Sequence, residues 1–292
     1  GDVYKRQLGR RQDTEGRGEG VIIFEMLSYS FLARAMLVGV LVSLCSALLG
    51  TSLVLKRYSM IGDGLSHVGF GALAVASALG LAPLAVAVPV VVVAAVILLR
   101  ISQTRSAIKG DAAVALISSG ALAIGVLVIS LTSGSNTNIS NYMFGSILTV
   151  SRADAVLSVV LCAAVIVCFT LLYPRIFAIT FDETFAQATG AKAGAYNMLL
   201  AVLTAVTVVL GMRMMGALLI SSLIIFPPLA AMRVFRSFRS VTVCSAVFSV
   251  VCFVLGMTAS YALETPSGAS VVCVNILGFA IFALAGRIKR IN

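Results

Sequence analysis

The chain is dominated by apolar runs of about twenty residues, the length at which an α-helix crosses the hydrocarbon core of a bilayer. Tyr29 to Leu55, Met60 to Leu81 and Pro83 to Arg100 are the first three. Composition agrees. Of 292 residues, 60% are hydrophobic and 11% charged, and the mean hydropathy is +1.08. A soluble domain is about half apolar and about a quarter charged. The fold class is therefore all-α, a polytopic transmembrane helical bundle of about 8–9 spans.

Residues 1–25 stand outside this pattern. Gly1 to Gly20 is polar and charged, without hydrophobic period or signal-peptide architecture. Met26 is read as the native start, residues 1–25 as a non-native or disordered leader, and 26–292 as the transmembrane domain.

A fourth span opens at Asp111 and runs to Thr132. The polar loop Ser133 to Asn138 follows, and then Tyr142 to Thr149, which is too short to cross and is read as interfacial or re-entrant. The fifth span runs from Ala153 to Tyr173 and stops at Pro174-Arg175. Ile176 to Asn197 is the longest polar excursion of the membrane domain. The sixth and seventh spans cover Met198 to Met232, interrupted at Arg213 and Gly216, and Pro227-Pro228 is expected to break or kink the seventh. The eighth runs from Val241 to Leu263 and the ninth from Ala269 to Ala285.

Charge gives the orientation. The ends at Lys56, Arg100–Lys109, Pro174–Asn197, Arg233–Arg239 and the C-terminus hold thirteen Lys and Arg, against three (Arg34, Arg152, Arg213) at the opposite ends. The positive-inside rule puts the first set, with the C-terminus, in the cytoplasm. The net charge of +10 is thus a topology signal rather than a nucleic-acid surface. The six cysteines lie within apolar runs without C-x-x-C spacing and are read as small core residues.

Asp63 and the only histidine, His67, interrupt the second run. Four residues apart on a helix, they share one face. Ionisable groups inside a span mark a pathway, a relay or a binding site, and a carboxylate with an imidazole is half of a divalent transition-metal site. Two readings are open. Asp63 caps the second helix while His67 makes one bundle hydrogen bond, or the pair handles a metal ion. One chain offers too few donors for a four-ligand site, whereas two copies across a two-fold axis supply two Asp and two His.

Phe181 to Gly190 reads as a short amphipathic helix, with Asp182 and Glu183 in its first turn and Gly190 at its end. It either rests on the membrane surface or docks into a groove on a partner. There is no G-x-x-x-x-G-K-[ST], so no P-loop ATPase site, and no serine-hydrolase or zinc-protease signature. The chain is read as no enzyme. The Asn138 sequon is read as chance, and Glu264 as a loop acid.

The motifs, taken in order, resemble the membrane permeases of ABC importers for zinc, manganese and iron, with the zinc type most similar. They are Arg57-Tyr58-Ser59-Met60-Ile61-Gly62-Asp63-Gly64-Leu65-Ser66-His67, Phe144 to Leu148, Phe181-Asp182-Glu183 with Ala186 and Gly190, Gly216 to Ile220, Pro227-Pro228, and Thr265 to Gly268. The likeness covers almost all of 26–292. Gly64 replaces a more usual Ala or Thr, and the double proline replaces a single one.

The resemblance implies a homodimeric permease in the cell (plasma or inner) membrane, binding two cytoplasmic ABC ATPases that hold the ATP. An extracytoplasmic metal-binding protein would deliver the ion. It implies no cofactor of the chain's own, with Zn2+ as the transported ion ahead of Mn2+ or Fe2+. Asp63 and His67 would lie on the metal path. Asp182, Glu183, Phe185, Ala186 and Gly190 would form the helix that couples to the ATPase. A proton-coupled secondary transporter and a permease for a metal chelate such as a siderophore are the alternatives.

Overall fold

The structure, a computed structural model, describes residues 30–103, 110–133 and 152–291. The leader 1–25, the Gly134–Asn138 part of the polar loop, the Tyr142–Thr149 segment and the Phe144–Leu148 motif lie outside the described residues. Those described form eleven α-helices: α1 (Ser30–Leu55), α2 (Ser59–Ala78), α3 (Pro83–Gln103), α4 (Gly110–Ser133), α5 (Arg152–Leu171), α6 (Tyr173–Phe181), α7 (Glu183–Ala188), α8 (Ala193–Met215), α9 (Ala217–Val234), α10 (Phe238–Leu263) and α11 (Ser267–Ile291).

Seven of them (α1, α3, α4 and α8 to α11) are long and apolar enough to cross a membrane, and α5 with α6, bent by 68° at Leu172, makes an eighth. Helix α2 is less apolar because it carries Asp63, His67 and four glycines. Its twenty residues still reach ~30 Å, and it packs among α3, α4, α8 and α9. Among the described residues, counting it raises the seven or eight candidate spans to nine at most, against the 8–9 expected from the sequence.

Helices α1 and α8 form the centre, with 72% and 67% of their apolar windows buried, whereas α11 at 17% lies on the outside. Lipid offers little hydrophobic drive between helices, so they associate where small residues let backbones approach. A Cβ on Gly71 of α2 would stand 2.6 Å from the Ala121 carbonyl of α4, and one on Gly256 of α10 would stand 2.5 Å from Cα of Val271 in α11. Of the cysteines, Cys45, Cys162 and Cys252 are buried as expected, but Cys273 is exposed on α11.

Three expectations are corrected. The polar excursion Ile176–Asn197 is largely helical: α6 buries Ile176 and Ile179, α7 follows, and α8 begins at Ala193 rather than Met198. Hydropathy marks the lipid-facing part of a helix, not its end, and α8 extends to bury the polar Asn197. The fifth span ends at Leu171, and Pro174 sits in the first turn of α6, where a missing N–H costs nothing.

The third correction concerns Pro227-Pro228, where a break or a kink was expected: the break is absent, and α9 runs as one helix from Ala217 to Val234. Pro228 deprives the Ile224 carbonyl of its helical donor. That oxygen instead lies against Gly50 of α1, so close that a Cβ there would stand 2.2 Å from it. A glycine opposite the freed carbonyl lets the two backbones meet without a side chain between them.

Gly50→Ala should therefore lower stability by about 1–3 kcal/mol through overpacking, read as a lower melting temperature in detergent. Gly120→Ala, where a Cβ meets nothing within 4 Å, should leave that temperature unchanged or slightly raised. Equal melting temperatures for both variants would contradict the α1–α9 contact.

Candidate functional site

Helix α2 starts with Tyr58 at its N-cap and no side-chain cap. Asp63 is its fifth residue, so the capping reading of Asp63 is wrong, and the carboxylate projects from the helix body. Asp63 and His67 share the expected face, with Asp63 Oδ2 and His67 Nε2 3.8 Å apart. That gap is too long for a hydrogen bond. It does suit one bridging cation, since carboxylate and imidazole donors each sit at about 2.0–2.2 Å from a zinc ion.

The other wall comes from α9. Helix α8 ends and α9 begins on either side of Gly216, which adopts φ 88° and ψ 158°, a conformation that only glycine takes readily. One residue thus reverses the chain, and the first turns of α9 fall beside α2. A Cβ on Gly62 would stand 2.9 Å from the Ile224 side chain, and one on Gly69 would stand 2.6 Å from that of Met212, so α2 lies close on this hairpin. Ser221 Oγ then donates to Asp63 Oδ1 at 2.8 Å. Ser66 Oγ donates to the Asp63 carbonyl at 2.7 Å and lies 3.4 Å from Ser221 Oγ.

These groups open onto a cavity of about 470 Å³, lined by Asp63, Ser66, His67 and Ser221 on its polar side and by Phe70, Leu122 and Phe226 among its apolar walls. Both Asp63 and His67 are half-buried. Gly62 and Gly50 both face Ile224, so Asp63 lies near the level of Gly50, ~8 Å along α1 from its Leu55 end. Asp63 thus lies within the length of the bundle rather than at its end, with its side chain 40% exposed. Among the described residues, no group of three or more His, Cys, Asp or Glu could hold a metal ion. One chain therefore offers two strong donors and two hydroxyls.

The second predicted segment is also assembled. Asp182 caps α7, its Oδ1 accepting from the Phe185 N–H at 2.9 Å and from Thr184 Oγ1 at 2.7 Å. These bonds hold its carboxyl below the usual carboxylate range, the Phe185 amide contributing most. Gly190, at φ 86°, ends the segment. Phe185 points outward, 63% exposed, while Ala186 is buried. Glu183 turns inward: Oε1 accepts from Asn197 Nδ2 at 3.0 Å, and Oε2 lies 3.4 Å from Lys56 Nζ.

Sequence reasoning missed Ser66, Ser221, Lys56 and Asn197 as partners. The signal for Ser221 was the Ser221-Ser222 pair inside an otherwise apolar run. Lys56 and Asn197 gave none, because one ends a span and the other looked like a loop residue.

The ABC 3 transport family matches residues 28–286, and the chain belongs to it. It is 29% identical over 269 residues to a protein of Thermotoga maritima described as a "Probable metal transport system membrane protein", covering 92% of this chain and 95% of that one. It is 28% identical over 261 residues to the manganese transport system membrane protein MntC of Halalkalibacterium halodurans, covering 89% and 88%. Among solved structures it resembles PsaBC from Streptococcus pneumoniae in complex with Fab, with a TM-score of 0.80 at 27% identity over 90% of this chain and 94% of that one.

Water access to the cavity can be checked by thiol labelling, with the six native cysteines replaced by alanine. His67→Cys and Ser221→Cys should react with a small hydrophilic methanethiosulfonate, while Leu65→Cys, fully buried, should not. Equal protection of all three would close the cavity to solvent.

Proposed function

We propose that the chain is the membrane permease of an ATP-driven importer of first-row divalent transition metal ions, with Asp63 and His67 binding the ion in transit. The observation that carries this reading is the carboxylate and imidazole 3.8 Å apart, facing a cavity inside an apolar bundle. A charged group is costly there unless it serves a pathway. Ser221 holds Oδ1 and so orients the carboxylate, in the way outer hydrogen bonds orient metal ligands.

Imidazole favours zinc, the ion first expected from the sequence. Manganese nevertheless takes precedence. The hydroxyls of Ser66 and Ser221 make the polar wall rich in oxygen, hard donors suit manganese, and a relative of full length is named for manganese transport. Two donors per chain make a second copy the natural source of the rest, so the permease works as a homodimer with the ion between two Asp63–His67 pairs. Two ABC ATPases bind at the end of the bundle that carries α7, with the outward Phe185 in the ATPase groove. The excess of Lys and Arg places that end and the C-terminus in the cytoplasm, and an extracytoplasmic binding protein delivers the ion at the other.

The test is ion uptake by proteoliposomes holding this chain, its ATPase and its binding protein, with manganese and zinc compared. ATP-dependent manganese uptake is expected, lost in Asp63→Ala and in His67→Ala. In Ser221→Ala the half-saturating manganese concentration should rise about tenfold. Uptake of neither metal by a folded, ATP-hydrolysing complex would refute the reading in favour of a metal chelate as cargo. Uptake driven by a proton gradient without the ATPase would make the chain a secondary transporter.

A further inference from the structure

Lys56 follows the last residue of α1, and its side chain is only 7% exposed. A lysine amine is rarely buried unless paired. This one has two partners from elements distant in sequence: it donates to Asn197 Oδ1 in the second turn of α8 and lies 3.4 Å from Glu183 Oε2 at the start of α7. Asn197, 2% exposed, closes the triangle by donating to Glu183 Oε1. Burial pushes the Lys56 amine below its ordinary value, and the Glu183 carboxylate opposes that shift. Three elements thus meet at one polar point, where Lys56 and Asn197 are buried and Glu183 stays partly exposed.

The way Lys56 joins the chain gives that point a mechanical meaning. Only Lys56, Arg57 and Tyr58 separate α1 from α2, and they form a tight helix-ending turn. The Tyr58 N–H reaches the Leu53 carbonyl at 2.8 Å, and the Arg57 N–H reaches that of Val54 at 3.0 Å. Arg57 takes the left-handed position at φ 62°, usually filled by glycine in such turns. The turn therefore has little slack. Helices α1 and α2 pack only weakly on each other, so this turn is their main connection. Asp63 stands ~6 Å along α2 from its first residue.

We propose that Lys56, Glu183 and Asn197 form a latch that carries displacement of α7 into the Lys56–Tyr58 turn and so into α2, with Lys56 as a positioning residue for Asp63 and His67. The inference rests on the reading that α7 docks into an ATPase. It also divides the residues first grouped as coupling ones. Phe185 faces outward to the partner, while Glu183 faces inward and passes the movement on. Separating the pair would leave the buried Lys56 amine without its counter-charge, which holds the three elements in register as they move.

The experiment uses the complete complex with its ATPase in proteoliposomes, carrying Ser221→Cys in the cysteine-free chain as a reporter of cavity access. The readouts are the change in thiol-labelling rate on adding ATP, the ATP hydrolysis rate, and co-purification of the ATPase. None of these requires a metal. With the latch intact, ATP should change the labelling rate. In Glu183→Gln, which keeps the shape of the side chain, and in Lys56→Met, the ATPase should stay bound and active while the ATP-dependent change falls roughly tenfold, within the ordinary range of coupling between distant sites. The exchange Lys56→Glu with Glu183→Lys should recover part of it.

An undiminished response in both single variants would overturn the latch. So would loss of the ATPase from them, since Glu183 would then be holding the partner itself, and so would the lack of any ATP response in the intact chain. Manganese uptake by the same complex with Ser221 retained tests the cargo separately. Failure of uptake with a latch-dependent labelling response would overturn the metal reading and leave the latch standing.

Discussion

The hydrogen bond from Ser221 to Asp63 ties the two halves of the bundle together at its functional point. A carboxylate inside an apolar bundle needs a donor, and the nearest one on α2, Ser66, is turned to the Asp63 carbonyl. The donor must come from another helix at close range. That is possible because α2 presents Gly62 and Gly69 to the α8–α9 hairpin, and because Gly216 reverses the chain within one residue.

The same economy of small residues governs the double proline. A helix with two consecutive prolines loses two N–H donors, and a membrane interior has no water to replace them. Helix α9 stays continuous while the Ile224 carbonyl rests on Gly50. The contact links α9 to α1 near its C-terminal end, which leads into Lys56. Access to the cavity and the Lys56–Glu183–Asn197 cluster are therefore joined through backbone contacts as well as through the turn into α2.

Much of this was legible in the sequence. Apolar runs of bilayer length specified helices, and the i, i+4 spacing put Asp63 and His67 on one face. The acidic first turn and terminal glycine of Phe181–Gly190 read as a short helix. The errors share a cause. The reach of α8 back to Ala193 and the unbroken α9 both depend on what a residue meets across the bundle. Proline and asparagine were judged by their local habits, and tertiary partners overrode them.

The sequence by itself determined that the chain is a helical membrane protein with Asp63 and His67 on one face of an apolar helix. Length, hydropathy and helical period are properties of a segment alone. Only the tertiary structure decided that Ser221 orients Asp63, that a cavity opens beside His67, and that Glu183 turns inward to Lys56 and Asn197. Those pairings join residues 14 to 158 positions apart. No local pattern encodes them, because they arise where glycines let separate helices come into contact.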